Sequence, residues 1–346
     1  MNGDTLTSTL ASLGAQLDVN GQAIHFGNPG QELLATQTGS VVSWLGSSAL
    51  IQFSGEDAQV FLNSLLSSDV KHLEVGQSQY TTFSTPKGRM LASMLLSRTD
   101  DSFMMQLPSS LQPAMLRKLS MYILRSKVKV TDASTQYMIF GVSGPLTRAT
   151  LIHCFGNAPN ADQTNLRASE TMLIQTTAGL HYLYVPTEAA ASSLRRLHDA
   201  GLILVGENAW RNLSLRTGFT WIYPATQEQF VPQMANMDLV GAVNFKKGCY
   251  PGQEIVARTQ YLGKLKRRMY RVSIDCPISM AAPGTELFSD TLPDQAIGMI
   301  ADSAPIATGA TEALAVIQSN CWEKEIYIGS SDGPQLQQLA LPYPME

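Results

Sequence analysis

Between Ala49 and Val205 the chain runs twice through one order of elements, and that recurrence restricts its fold more than any other feature. Residues 49–53, ALIQF, read as a strand, and residues 57–66 set Ala58, Phe61, Leu62 and Leu65 on one helical face. Strands are predicted next at 78–84, 90–97 and 103–107, then a helix at 110–124 and a strand at 127–131. The second run has a strand at 137–142 and a helix at 144–155, with Pro145 near its first turn. Strands at 171–176 and 181–185 follow as a hairpin across Ala178-Gly179, then a helix at 187–200 and a strand at 202–205. Each run reads β-α-β-β-α-β, with one extra strand in the first. The fold class expected is α+β, with two ferredoxin-like units in tandem.

The flanks differ from this centre. Residues 1–40 carry no strong period and read as an N-terminal extension with one helix at 6–13. A helix at 207–217 spaces Trp210, Leu213 and Arg216 three apart, and a polar loop at 222–243 is too long for a plain linker. Short strands at 268–274, 285–288, 296–301, 312–317 and 324–328 predict a small C-terminal β-barrel or sandwich, with the Pro-rich tail LALPYPME lying across the surface. The domain reading is therefore 1–40 extension, 41–134 first α+β unit, 135–243 second unit with its loop, 244–261 a separate motif segment, and 262–346 the barrel. At 346 residues and 44% apolar composition, the chain has material for that many cores.

Several classes lose their usual support. No apolar run reaches the roughly 18 residues that span a bilayer, so no membrane association is expected. The start MNGDTLTSTL has neither a basic nor an apolar leader region. Cys154, Cys249, Cys276 and Cys321 stand far apart with no CxxC pair, which fits a reduced, cytoplasmic protein. TPKGRM lacks P-loop spacing, and no GxGxxG, HExxH, paired-cysteine or GxSxG pattern occurs. No metal site is expected.

The chemistry concentrates in residues 244–261, NFKKGCYPGQEIVARTQY. Pro251-Gly252 reads as the centre of a type II turn, because proline presets φ and glycine accepts the positive φ that follows. Gly248 adds a second point of backbone freedom. Cys249 thus belongs to a tight loop that reaches the surface, and Lys246 and Lys247 bring positive charge beside its sulfur, as suits a reactive thiol. The alternative is a small filler packed beneath the loop. Residues 253–261 are expected as a short helix or strand, with Glu254 and Arg258 four apart and pairing. Residues 244–271 hold Lys246, Lys247, Arg258, Lys264, Lys266, Arg267, Arg268 and Arg271 against Glu254 alone. That is +7 in a chain of net −4, so the rest carries −11. Such an island suits an anionic partner such as a polyglutamyl tail, a phosphate or RNA, or equally a solvated strand edge.

KKGCYPGQE resembles the signature loop K-G-C-Y/F-x-G-Q-E of the YgfZ family of folate-binding proteins. The likeness continues through FVPQMANMDLVGAVNFKKGCYPGQEIVARTQYLGKLKRR, with TPKGRMLAS and LPYPME resembling flanking blocks, and covers the chain from about Ala49 onward. It implies a T-protein-like three-domain arrangement around a channel for tetrahydrofolate or a derivative. By position Trp210 corresponds to an aromatic of the folate pocket. Gln233 and Asn236 would supply the placed amides that a flat pterin needs beside an aromatic face. Cys249 corresponds to the functional thiol, set among Lys246, Lys247, Gly248, Tyr250, Gly252, Gln253, Glu254 and Arg258 of the signature. The resemblance further implies support of iron–sulfur enzymes and of tRNA modification, notably methylthiolation, with folate, iron–sulfur clients and tRNA as partners. Ala92 and Ser93 stand where T-proteins carry an acidic pair, Ser48 with Trp44 nearby stands where the pterin side carries an aromatic, and Pro251 stands where threonine is common. A folate-dependent one-carbon transferase and a non-catalytic RNA- or client-docking protein are the competing readings. Loss of the acidic pair argues against the first, and the polar loop and glutamine-rich signature against the second.

Overall fold

The computed structural model describes residues 5–19, 21–261, 265–290, 292 and 294–345. Three large sheets organise it. In the first, the order is Ser78–Ser84, Met90–Arg98, Ser102–Pro108, Ser48–Ser54, Lys129–Asp132. Ser48–Ser54 pairs antiparallel with both of its neighbours. Helix Ala58–Leu65 follows Ser48–Ser54 in sequence and helix Gln112–Ser120 follows Ser102–Pro108, so the connectivity is ferredoxin-like with Ser78–Ser84 added at one edge. Ser102–Pro108 and nearly all of Met90–Arg98 are buried, which is why these strands read as near-continuous apolar runs without clean alternation.

The second sheet has six strands in the order Thr164–Ala168, Thr171–Gln175, His181–Pro186, Tyr137–Ser143, Val41–Trp44, Ile203–Leu204. It repeats the ferredoxin-like order with two additions. Thr164–Ala168 extends one edge, as Ser78–Ser84 does in the first sheet. Val41–Trp44 is inserted between the first and fourth strands, antiparallel to Tyr137–Ser143 and parallel to Ile203–Leu204. The segment before it is also structured. Thr5 caps helix Leu6–Ser12, whose Leu6 and Leu10 enter the core beneath Phe140, Leu183 and Leu194. Asn28 caps helix Pro29–Thr38, and Glu32 of that helix accepts from Phe26 N at 2.6 Å and Gly206 N at 2.8 Å.

The third sheet is antiparallel throughout, in the order Ile326–Ile328, Glu286–Ser289, Gly298–Pro305, Thr311–Gln318, Arg267–Ile274, Leu336–Leu339. It curls into a half-barrel around Val272, Leu287, Ile300, Ala315 and Ile317. The edge strand Leu336–Leu339 is not among the strands expected from the sequence; it ends where the Pro-rich tail LALPYPME begins, sharing only Leu339 with that tail. Beyond the strand Tyr343 donates to Gly218 O at 2.8 Å, and burial pushes its hydroxyl up to about 12.

The chain divides into two compact units that interleave in sequence. One is Met1–Ala58, Leu73–Gln79 and Leu96–Leu213; the other is Gln59–His72, Tyr80–Leu95 and Ser214–Glu346. Within the first, helix Glu207–Leu215 lays Trp210 directly on Gly141, where a Cβ would overlap the indole ring. Tyr182, the register partner of Gly141, meets the same ring edge-on with centroids 5.6 Å apart. Trp210 is 4% exposed as a result. Gly141→Ala forces that ring outward, and overpacking of this kind costs about 1–3 kcal/mol. The expected outcome is a lower melting temperature together with altered tryptophan fluorescence; an unchanged melt and spectrum would show that the ring has room to yield.

Candidate functional site

The signature segment is fastened at three places within the second unit. Asn244 N donates to Ser67 O at 2.9 Å, and Ser67 Oγ donates to Ala242 O at 2.7 Å. Lys247 then turns inward. Its ammonium donates to the carbonyls of Asn63 and Leu66, each at 2.5 Å, at the C-terminal end of helix Ala58–Leu65, where unpaired carbonyls favour a cation. It also stands 5.0 Å from the Tyr250 ring centroid. Burial pulls the Lys247 ammonium down to about 8, opposed by the carboxylate of Asp69.

The turn is the third fastening. Gln253 N donates to Tyr250 O at 3.1 Å and Gly252 has φ +81°, as the Pro-Gly spacing predicts for type II. A Cβ on Gly252 would stand 2.5 Å from Thr85 O and 2.6 Å from Gly88 Cα, so only glycine lets the turn sit on TPKGRM. That segment is held in turn by Arg89 Nη1 on Gln229 O at 2.5 Å, Met90 N on Phe230 O at 2.9 Å and Gln227 Nε2 on Leu91 O at 2.8 Å. Gly248 has no positive φ and open space around it, so the freedom expected of it is not used. Between these fastenings Cys249 is exposed, whereas Cys154, Cys276 and Cys321 are buried. Tyr250 packs beneath the loop; burial raises its phenol to about 12, and its hydroxyl has no partner among the described residues.

Residues Gln253–Tyr261 form a helix. Gln253 reaches back to Lys247 O at 3.3 Å. The pair expected of Glu254 and Arg258 is absent among the described residues; both are exposed, and water satisfies each nearly as well as the other would. The basic island is also partly consumed. Arg268 binds Asp238 through both guanidinium nitrogens at 2.8 and 3.0 Å and donates to Gln233 O, and Arg271 pairs with Glu312 at 2.5 Å. Lys246 and Lys266 remain exposed, and Lys264 lies outside the described residues.

Gln233 and Asn236 are fully buried. Asn236, at φ +55°, pairs with Met269 through both ends of its amide, donating to the carbonyl at 2.8 Å and accepting from the amide N–H at 3.3 Å. Gln233 donates to Val256 O at 2.7 Å, while its Oε1 has no partner among the described residues. In the first unit Asn212, two residues beyond Trp210, is 1% exposed with its Nδ2 likewise unpartnered. Sequence reasoning did not single out Asn212, Asn63 or Gly88. Of these only Gly88 carried a signal, as part of the TPKGRM block.

Ala92 and Ser93 are both fully buried. Ser93 Oγ donates to Thr220 O and accepts from Ile222 N, each at 2.9 Å, so this position is a structural cross-link with nothing to ionise. Among the described residues no cluster of three metal-ligating side chains occurs, and no helix is long and apolar enough to cross a membrane.

The family model of the GCVT N-terminal domain matches residues 22–247. The chain is 30% identical over 223 residues to the tRNA-modifying protein YgfZ of Escherichia fergusonii, spanning 64% of this chain and 68% of that one. The YgfZ of Enterobacter sp. (strain 638) is 31% identical over the same shares. The chain belongs to the YgfZ family. Its architecture agrees with the glycine cleavage system aminomethyltransferase T from Bartonella henselae, with a TM-score of 0.81 over 99% of this chain and 98% of the other; at 17% identity that likeness speaks for the fold alone. The α+β architecture expected of a YgfZ-family chain is thereby found.

Lys247→Met leaves the buried carbonyl of Leu66 and the half-buried one of Asn63 without this donor, at about 1–3 kcal/mol for the buried one. The variant is expected to unfold earlier and to admit protease into the signature loop. The sign of the pH effect is also set. Folding lowers the Lys247 pKa, so between pH 8 and its unfolded value near 10.5 the unfolded chain binds the extra proton and stability gains as pH rises. The stability difference between wild type and Lys247→Met should therefore widen across that window in denaturant titrations. A constant or shrinking difference would contradict the burial of the ammonium.

Proposed function

We propose that this protein binds tetrahydrofolate or a derivative and, through Cys249, supports tRNA modification and the iron–sulfur enzymes that carry it out. The observation carrying this reading is that the one exposed cysteine stands on a loop anchored by Lys247 on one side and by Gly252 on the other. Membership of the YgfZ family supports the tRNA part, since the matched relatives are named as tRNA-modifying proteins. For the folate part, the residues present fit the chemistry of a pterin. Within the first unit Trp210 is an aromatic wall already fixed by Gly141 and Tyr182, and Asn212, two residues on, has a buried amide N–H still open to a partner among the described residues. Asn236 contributes by holding its own loop against Met269. Tetrahydrofolate, when bound, supplies a carrier for one-carbon units.

The reading favours an accessory role over a T-protein reaction. With Ala92 and Ser93 in place of an acidic pair, aminomethyl transfer from a lipoyl-bound intermediate lacks its proton-transfer group, a loss of about 10²–10⁴ in rate. An assay at T-protein rates would sink the accessory reading.

Calorimetry with tetrahydrofolate is expected to show heat of binding, weakened at least about tenfold by Trp210→Ala, which removes one large aromatic contact. Cys249→Ser should leave the melt and folate affinity near wild type but fail to restore iron–sulfur enzyme activity in cells lacking the protein. Absence of binding heat overturns the folate reading; full restoration by Cys249→Ser overturns the role of the thiol.

A further inference from the structure

Within the first unit a second basic surface stands apart from the signature segment. Residues 112–131 hold Arg117, Lys118, Arg125, Lys127 and Lys129 and no acidic residue, +5 in a chain of net −4. All five are exposed. They run from the last turn of helix Gln112–Ser120, through a loop, to the start of strand Lys129–Asp132. Between them Met121 is 76%, Tyr122 40% and Leu124 90% exposed, and Leu124 is held at φ +44°, a conformation that bulky residues seldom adopt.

The contrast with residues 244–271 is instructive. There Lys247, Arg268 and Arg271 are spent on internal carbonyls and carboxylates. Here the acidic neighbours are few. Lys127 meets Glu56 at 2.7 Å, with both side chains more than 70% exposed, and Asp57 accepts from Lys127 N. Arg117 makes one bond, to Pro113 O, while Lys118, Arg125 and Lys129 have no carboxylate partner among the described residues.

We propose that this edge, from Arg117 to Lys129, is a docking surface for the phosphate backbone of RNA, and of tRNA in particular. The proposal rests on the tRNA-modification reading above and deepens it by assigning the surface. Exposed cations along an extended edge match a line of phosphates, and the release of counterions supplies sequence-independent affinity. Large side chains standing among those cations match unstacked bases of a loop or end, which RNA-binding proteins cover with aromatic and apolar groups.

The test titrates fluorescein-labelled tRNA against the full chain over a series of KCl concentrations. Wild type is compared with Arg125→Glu/Lys129→Glu and with Lys266→Glu on the other basic segment. Binding should weaken by about 10- to 100-fold in the double variant, and the slope of log K against log salt should flatten by about 1.5–2. Lys266→Glu should change affinity less than about threefold, and all three proteins should melt alike. Loss of binding through Lys266→Glu but not through the double variant overturns the assignment, as does capture by phosphatidylglycerol-rich vesicles with no tRNA binding. Tetrahydrofolate calorimetry on the same samples separates the two levels. A chain that binds folate but no tRNA refutes the surface alone, whereas one that binds neither refutes the functional reading beneath it.

Discussion

The ammonium of Lys247 on the carbonyls of Asn63 and Leu66 is the contact on which the candidate site most depends. A helix end normally leaves its last carbonyls to water or to a glycine cap. Here a lysine from some 180 positions later in the chain takes that place. It does so at the cost of burying a charge, and Tyr250 beneath it excludes the water that would otherwise compete. The consequence for the next residues is direct. With Lys247 directed inward, Tyr250 packed beneath and Gly252 seated on Thr85 and Gly88, Gly248 and Cys249 are left facing outward.

The same lysine explains why charge alone misleads. Read as a string, Lys246-Lys247 is a doublet of positive charge beside a thiol; in the fold one lysine faces solvent and the other faces a helix end. Arg268 and Arg271 repeat the lesson, since their carboxylate partners Asp238 and Glu312 lie about 30 and 41 positions away. A basic run in sequence reports composition. Whether it reaches solvent depends on partners that arrive from elsewhere.

What was legible in the sequence divides along similar lines. The strands of both ferredoxin-like runs were readable because apolar runs bounded by Gly, Pro and Ser report burial locally, and Ser78–Ser84 matched to the residue. The type II turn was readable because Pro-Gly encodes its own dihedral angles. Val41–Trp44 was not: four residues give too little period, and its place is set by Tyr137–Ser143 about a hundred positions on. Thr164–Ala168 is a polar edge strand defined by its neighbour more than by its own residues. Leu336–Leu339 was hidden by the prolines that follow it. At the site, the motif located the loop, but the clamp that shapes it comes from Asn63, Leu66, Thr85 and Gly88.

The interleaving of the two units bears on how such a chain reaches its native state. The second unit draws residues 59–72 and 80–95 together with everything after Ser214. Those early segments leave the ribosome long before their partners exist, and at about 5–20 residues per second the stretch from 95 to 214 alone takes about 6–24 s. Meanwhile Phe61, Leu62, Phe83, Met90 and Met94, all buried in the finished molecule, have no native surface to cover them. Long-range closure of this kind is slow and leaves apolar strand edges open to other chains. The architecture therefore makes the arrival of residues 220–247, which bond to Asn63, Leu66, Ser67, Met90 and Ser93, the event that fixes the N-terminal segments of their unit.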